Sequence, residues 1–244
     1  METTEDFIKF TPEEFQRFND ALVTCYAFPF IDSIEDYIVE AMLEYARCID
    51  GIDPLLAIRS KKLYDVVDEK SHIGWSVKSV QISNVDNRDF ELVIQRADIF
   101  KKAKELGFDS LTKDSPTADL GAALMKHWGD KVDLDAIDQN VKERRIFILL
   151  KSRKNALNFA IYEAPLVVRN PQDLVWEWTN ESKTGLQGRD KKTGRCVHRW
   201  YPGQKQLFEC FSLPEKVKYF TINPTRLQKE EVVGLVTEYL RGRQ

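Results

Sequence analysis

The sequence predicts a mixed α/β fold, and three observations support this prediction. Two short β-rich runs lie on either side of a Gly-containing turn at residues 69–74, a pattern typical of a β-hairpin. A near-continuous apolar run at 145–151 predicts a buried central strand. Apolar residues recur at helical spacing both before the hairpin and between the hairpin and this strand. We therefore expect a central mixed sheet flanked by helices.

The helices and strands follow from local signals taken in chain order. Thr11, Pro12 and Glu14 form a capping sequence, so a helix should begin there and end near residues 21–26. The other predicted helices are 34–47, 90–106, 117–127 and 133–144, and the predicted strands are 63–68, 75–82, 145–151 and 157–168. A helix between the strand at 75–82 and the strand at 145–151 would allow these two to pair in parallel.

The residues after 170 predict a different local architecture. Aromatic side chains are spread there among short runs and turns, which indicates a small β-rich region followed by a closing helix. The predicted strands are 195–201, 206–211 and 217–222, and the helix runs from Asn223-Pro224 to about Leu240. The domain prediction is a core at 1–170 and a β-rich region at 171–244, packed together as one compact domain.

Composition narrows the possible functions. The chain has 43% apolar and 31% charged residues, which suits a globular protein with a real core. No apolar run approaches the ~20 residues of a membrane span, and the first residues lack the pattern of a signal peptide. The four cysteines are widely spaced without a CxxC pair, so we expect reduced thiols, a cytoplasmic location and no membrane partner. Dinucleotide, P-loop and HExxH zinc motifs do not occur.

Three polar residues lie where the predicted elements can bring them together. Asp65 is on the first hairpin strand, Lys78 is in the middle of the second, and Glu91 is in the first turn of the predicted helix 90–106. Two carboxylates can hold a divalent cation through hard oxygen ligands. A lysine beside them can position an attacking water or offset the charge of a scissile phosphate.

The spacing of these residues is similar to a known nuclease motif. Asp65, ten intervening residues and then Ser76-Val77-Lys78 resemble the PD-(D/E)xK motif, except that Ser76 stands where a carboxylate is usual. This departure resembles type II restriction endonucleases that have Ser-x-Lys on the strand and take the missing carboxylate from the next helix. Twelve residues separate Lys78 from Glu91, which matches that arrangement. The resemblance covers roughly 60 residues.

The resemblance implies a restriction-endonuclease-like core and a Mg²⁺-dependent enzyme, with Mn²⁺ able to substitute, that cleaves double-stranded DNA. It implies that Asp65 and Glu91 ligate the metal, that Lys78 positions the water, and that Ser76 occupies the vacated acid position. Glu40, on the preceding helix, is a further candidate metal ligand. Cleavage of both strands of a palindromic site favours a homodimer, because symmetric DNA fits a two-fold protein.

Two basic segments are candidates for DNA contact, although the whole chain has a net charge of −3. Lys183–Gln206 has seven Lys or Arg against one Asp, and Lys142–Lys154 has six against one Glu. The candidate DNA-binding residues are Arg189, Lys191, Lys192, Arg195, Arg199, Gln204, Lys205, Gln206, Arg153 and Lys154. The simpler interpretation is that these are solvated loops.

Several alternatives stay open at this point. Tyr64 stands where the motif usually has Pro, so Asp68 is an alternative to Asp65 as the first ligand. Lys78 and Glu91 could form an ordinary salt bridge. The chain could also be a non-catalytic DNA-binding or protein-interaction module, or a non-specific defence nuclease, and the substrate could be RNA.

Overall fold

The structure is a computed structural model of the 244-residue chain, and it describes residues 10–31, 34–49, 62–83, 89–214 and 217–242. The described part is a mixed α+β protein with four α-helices and two five-stranded sheets. In chain order the elements are α1 (Pro12–Ala27), α2 (Asp36–Arg47), β1 (Val66–Asp68), β2 (Ile73–Ile82), β3 (Asp89–Arg96), α3 (Thr117–Asp138), β4 (Glu143–Ser152), β5 (Asn158–Pro165), a short 3-10 helix (Pro171–Asp173), β6 (Leu174–Trp178), β7 (Leu186–Asp190), β8 (Cys196–Tyr201), β9 (Gln206–Ser212), β10 (Lys218–Thr221) and α4 (Lys229–Arg241).

The chain divides into two units, each built from separate stretches of sequence. The first unit contains residues 1–85, 145–165 and 216–244, and the second contains 86–144 and 166–215. The predicted boundary between residues 170 and 171 falls inside the second unit.

The sheet of the first unit has the strand order β1-β2-β4-β5-β10. Val66 on β1 lies opposite Trp75 on β2 in an antiparallel pair, which confirms the predicted hairpin. The backbone N–H of Arg153, just after β4, donates to the carbonyl of Ile82 at the end of β2, with 2.8 Å between the atoms. The carboxyl ends of β2 and β4 are therefore neighbours, as in a parallel pair.

The core of the first unit lies between this sheet and the helices α1 and α2. Thr11 and Glu14 form the predicted capping box at the start of α1. The buried residues of this core include Phe18, Leu22, Val39, Leu43, Val66, Trp75, Val77, Phe147, Leu149, Phe159 and Ile161. The apolar run of β4 is buried as predicted, and β4 lies between β2 and β5 in the middle of the sheet.

A charged cluster is enclosed in the same unit. Glu163 on β5 is fully buried; its Oε1 accepts from Arg145 Nε at 2.7 Å and from Trp75 Nε1 at 2.8 Å. Its Oε2 accepts from Arg47 Nη2 at 2.8 Å. The guanidinium of Arg47 also lies over the Trp75 ring, 4.8 Å from the centroid. The cluster therefore ties α2, β2, β4 and β5 together.

The sheet of the second unit is antiparallel and has the order β3-β9-β8-β7-β6. The predicted strands 195–201 and 206–211 are confirmed as β8 and β9. The indole of Trp176 on β6 packs between two glycines, Gly121 on α3 and Gly188 on β7. A side chain at either glycine would overlap the indole ring. Helix α3 therefore lies directly against this sheet.

Three sequence predictions of the fold are wrong. Residues 90–106 do not form a helix, because 89–96 are strand β3, paired with β9 more than 100 residues later. The two helices predicted within 117–144 are one helix, α3, followed by β4. Strand β10 belongs to the first sheet, beside β5, and not to the β-rich region of the second unit. The strands predicted for the central sheet lie in the sheet of the first unit, and two of the strands predicted for the β-rich region, β8 and β9, lie in the sheet of the second unit.

Candidate functional site

The hairpin brings Asp65 and Lys78 into contact. The Asp65 backbone N–H donates to the Trp75 carbonyl at 2.9 Å, which fixes the aspartate against β2. Its Oδ2 accepts from the Val77 backbone N–H at 2.8 Å and lies 3.2 Å from Lys78 Nζ. Lys78 Nζ also donates to the Val77 carbonyl at 2.8 Å. The lysine is thus held beside one carboxylate oxygen.

A second carboxylate, which the sequence analysis did not select, lies next to this pair. Asp36 is the first residue of α2, and its Oδ1 accepts from the Ser79 backbone N–H at 2.8 Å. Because Val77 and Ser79 are two residues apart on one strand, their N–H groups are roughly 6.6 Å apart. Asp65 and Asp36 therefore bind successive N–H groups along the same edge of β2.

The surroundings of Asp65 act on its ionisation in opposite directions. Burial is the largest influence and raises the pKa of the Asp65 carboxyl above its ordinary value. The charge of Lys78 and the hydrogen bond from Val77 lower this pKa, whereas the nearby charge of Asp36 raises it. The net pKa remains raised, so one lysine does not offset the cost of burying this carboxylate beside another. A further cation would stabilise its ionised form.

A second lysine reaches the same end of α2 from strand β4. Lys151 Nζ donates to the carbonyl of Ile34 at 2.5 Å. Burial lowers the pKa of Lys151, and the negative charges of Glu35 and Asp36 partly oppose this. The start of α2 therefore brings two carboxylates of the helix end, Glu35 and Asp36, close to a lysine from β4.

The other residues of the first unit that the sequence analysis selected for this site are Ser76, Glu40 and Asp68. Ser76 is buried on β2, at 2% exposure, and Glu40 is half-buried on α2, about one turn beyond Asp36. Asp68 is the last residue of β1 and is partly buried; the hydroxyl of Ser71 in the turn donates to its Oδ2 at 2.5 Å and lowers the pKa of this carboxyl. Of the two candidate aspartates, Asp65 is the one in contact with Lys78.

Glu91 does not stand at the start of a helix. It lies on β3 in the second unit, opposite Cys210 on β9, and its carboxylate is ion-paired with Arg199 on β8. Its role as a metal ligand stays a prediction. Within the part of the chain that the structure describes, no group of three or more His, Cys, Asp or Glu is arranged to hold a metal ion.

Most of the cations in the basic segment 183–206 have acidic partners that lie elsewhere in the sequence. Five of its seven cations are within ion-pair distance of a carboxylate: Lys183 with Asp114, Arg189 with Glu177, Arg195 with Asp89, Arg199 with Glu91, and Lys205 with Asp98. The local charge of this segment is thus largely offset in the folded chain.

The other candidate DNA-binding residues are at strand ends and turns. Lys191 donates to the carbonyl of Gln172 at 2.6 Å, and Lys192 is exposed in the turn after β7. Gln204 lies in the turn between β8 and β9, and Gln206 begins β9. Arg153 and Lys154 follow β4 in the first unit and are exposed. Their contact with DNA stays a prediction.

The second unit holds a buried base and a partly buried acid on neighbouring strands. His198 on β8 is 1% exposed and lies opposite Glu209 on β9. Burial lowers the pKa of His198 to about 4 and raises the pKa of Glu209 to about 7. Both groups are therefore held in their neutral forms near pH 5.5.

We expect Glu209→Gln to stabilise the protein at pH 8 but not at pH 4. The unfolded carboxyl ionises near its ordinary pKa of 4.5, whereas the folded one ionises only near 7, so stability falls as pH rises across this interval. Removing the acid should add about 1–3 kcal/mol to the free energy of unfolding above pH 7. Urea denaturation at both pH values measures this, with Glu181→Gln in an exposed loop as the control. An equal effect at pH 4 and pH 8 would contradict the raised pKa of Glu209 in the folded protein.

Comparison with known proteins gives no assignment: no protein family, no curated protein and no solved structure matches this chain. In the described ranges, no helix combines the length and apolar character needed to cross a membrane.

Proposed function

We propose that this protein is a Mg²⁺-dependent endonuclease that hydrolyses the phosphodiester bonds of double-stranded DNA, of the type II restriction kind. The observation that carries the proposal is the contact between Asp65 Oδ2 and Lys78 Nζ, at 3.2 Å, with the Asp36 carboxylate on the next N–H group of the same strand edge. A lysine beside two carboxylates is an arrangement suited to metal-assisted hydrolysis.

The elements around this contact also support the proposal. Helix α2, the hairpin β1–β2 and the neighbouring strand β4 form the sequence of elements expected for a restriction-endonuclease-like core. Asp65 lies immediately before β1 and Lys78 lies on β2, so both residues belong to the hairpin, as the resemblance implies. We include the restriction-endonuclease-like core in the proposal, because the order of elements fits it.

The donor groups fit the proposed metal. Mg²⁺ is held in enzymes by one or two carboxylates together with water and substrate phosphate oxygens. Asp65 and Asp36 would hold it here, and the raised pKa of Asp65 is the property expected of a carboxylate that gains a cation on binding. When bound, the ion supplies Lewis-acid activation of the phosphate and of a water molecule. Glu91 and Glu40 remain further candidates for this role.

Lys78 would orient the attacking water and stabilise the negative charge that develops on the phosphate. Its Nζ is held by Asp65 and by the Val77 carbonyl, so the amine has a defined position before the substrate binds. Ser76 lies on the same face of β2 two residues earlier, at the position where the resembled enzymes lack their carboxylate. Lys151, near Asp36, would add positive charge beside the phosphate.

The proposed assembly and DNA contacts follow from the same hypothesis. A palindromic DNA site favours a homodimer, in which each chain cleaves one strand. Arg153 and Lys154, exposed after β4 in the unit that contains Lys78, are the candidate backbone contacts. Mn²⁺ would support cleavage in place of Mg²⁺, because both ions take oxygen ligands.

We expect Lys78→Ala to reduce Mg²⁺-dependent plasmid cleavage by at least about a hundredfold, because general acid–base and electrostatic groups contribute on this scale. The matched control is Lys70→Ala, which removes a lysine from the exposed hairpin turn and should leave cleavage within about twofold of the wild-type rate. The measurement is the rate of supercoiled plasmid loss with and without chelator. Cleavage that survives Lys78→Ala at the wild-type rate would remove the proposed role of this lysine.

One observation favours a non-catalytic alternative. Asp65 and Asp36 each accept a backbone N–H from the edge of β2, so both carboxylates already have a structural role. On this alternative the chain would be a DNA-binding or protein-interaction module that does not cleave DNA. Mn²⁺ titration separates the two: Asp65→Asn should weaken binding of the ion at least tenfold if the site is catalytic. No Mn²⁺ binding to the wild-type chain would favour the module.

A further inference from the structure

Two cysteines of the second unit lie within contact distance of each other. Cys196 at the start of β8 and Cys210 on β9 are both partly exposed, and their Sγ atoms are 3.5 Å apart. The β8–β9 ladder pairs His198 with Glu209, and regular continuation would put Cys196 opposite Phe211, on the face away from Cys210. The pairing of β8 with β7 shifts register at Cys196. This irregularity accounts for the contact between the two thiols.

The pair opens onto a surface cavity of about 320 Å³ that also contains Glu91 and Arg199. Arg199 Nη2 lies 4.0 Å from Cys196 Sγ. A neighbouring guanidinium favours the thiolate, which is the reactive form of cysteine. The stacked rings of Phe90 and Phe211, 5.3 Å apart, form an apolar wall of the same cavity. A small molecule can therefore reach the two sulfur atoms from solvent.

We propose that Cys196 and Cys210 are a reversible dithiol that reacts with low-molecular-weight disulfides, such as glutathione disulfide, to form a cross-strand disulfide. The proposal rests on the 3.5 Å contact, its access from the cavity and the adjacent arginine. A disulfide needs its sulfurs about 2.05 Å apart, so the 3.5 Å contact has to shorten when the bond forms. The proposal does not depend on nuclease activity.

The reaction is two successive thiol–disulfide exchanges. Cys196 loses its proton to solvent, and its thiolate attacks one sulfur of the small disulfide; a Cys196–glutathione bond forms and one glutathione thiolate leaves. Cys210 then loses its proton, and its thiolate attacks Cys196 Sγ, so that the second glutathione thiolate leaves. The two thiolates that leave take up the two protons. Two protein thiols are oxidised to one disulfide, and one small disulfide is reduced to two thiols.

The first test uses the wild-type full chain. After equilibration with glutathione disulfide and trapping with an alkylating agent, we expect two of the four cysteines to be lost as one Cys196–Cys210 cross-linked peptide. Dithiothreitol should restore both thiols. Cys25 should remain a thiol that does not exchange with glutathione disulfide, because burial raises the pKa of this thiol and disfavours the reactive thiolate. Four free thiols after equilibration, or adducts on the exposed Cys48 in place of the cross-link, would overturn the proposal.

The second test separates the roles of the two cysteines. In Cys210→Ser the mixed disulfide at Cys196 should accumulate, because no second thiol can displace the glutathione. In Cys196→Ser the glutathione adduct should form on Cys210, at least about tenfold more slowly than it forms on Cys196 in Cys210→Ser, since the thiol beside Arg199 is gone. The double variant Cys25→Ser/Cys48→Ser should form the cross-link at the wild-type rate. Equal adduct rates in both single variants would refute Cys196 as the attacking thiol.

Discussion

We expect Glu163→Gln to lower the free energy of unfolding by about 3–5 kcal/mol, because it leaves buried positive charge without its counter-ion. Glu163 is fully buried, and its two oxygens bind Arg145 and Arg47 at 2.7 and 2.8 Å. The glutamine amide would also present hydrogen-bond donors to groups that are themselves donors. Chemical denaturation followed by tryptophan fluorescence measures the loss, since Trp75 is part of the cluster.

Two further variants test the physical reason for this loss. Asp130→Asn breaks an ion pair with Lys126 in which both side chains are 48% exposed, and it should change stability by less than about 0.5 kcal/mol. Replacing Glu163, Arg145 and Arg47 together with apolar residues should recover much of the stability lost in Glu163→Gln, because no charge is left uncompensated. A loss below about 1 kcal/mol in Glu163→Gln would show that water or rearrangement relieves the buried charge.

The elements that could be predicted from sequence are those whose signals are local. The capping box at Thr11 and the hairpin turn near Gly74 each need only a few neighbouring residues, and both are confirmed. The apolar run of β4 was long enough to identify a buried strand. The strands β8 and β9 were also predicted closely, because polar turn residues separate them.

The error at residues 90–106 has a physical explanation. Apolar residues in a short run fit both helical and extended spacing, so the sequence from Phe90 to Ile94 does not decide between them. Residues 89–96 become a strand because they pair with β9, which lies more than 100 residues later in the sequence. Pairing over such a distance leaves no local signal, and the prediction that placed Glu91 in a helix failed for this reason.

The candidate site shows the same division between local and distant information. Asp65 and Lys78 are linked by one hairpin, so their contact followed from the turn. Asp36 reaches the same strand edge from α2, and the sequence analysis chose Glu40 from that helix instead. The acidic partners of Arg199 and Lys205 are likewise distant in sequence. Counting charges within residues 183–206 alone therefore overestimated the net positive charge of this segment in the folded chain.

We expect Gly121→Ala in α3 to destabilise the protein by about 2–3 kcal/mol, although alanine is the better helix former by about 1 kcal/mol. A β-carbon at residue 121 would lie only 2.2–2.4 Å from three atoms of the Trp176 indole, which packs directly on the helix backbone there. Trp176 has little room to move away, because Gly188 lies against the other part of its ring. The steric cost should therefore exceed the gain in helix propensity.

Gly129 on the same helix provides a matched control. A β-carbon there would lie 3.4 Å from Val168 Cγ1, an ordinary contact, so Gly129→Ala should raise the free energy of unfolding by about 0.5–1 kcal/mol. The two substitutions are chemically identical, and their opposite signs would isolate the effect of Trp176. Thermal or urea denaturation of both variants measures the difference. In the double variant Gly121→Ala/Trp176→Leu the loss from the alanine should largely disappear, since non-additivity of this kind marks residues in direct contact. Equal effects of Gly121→Ala and Gly129→Ala would mean that α3 does not rest on Trp176, and the packing of the helix against the second sheet would then need a different account.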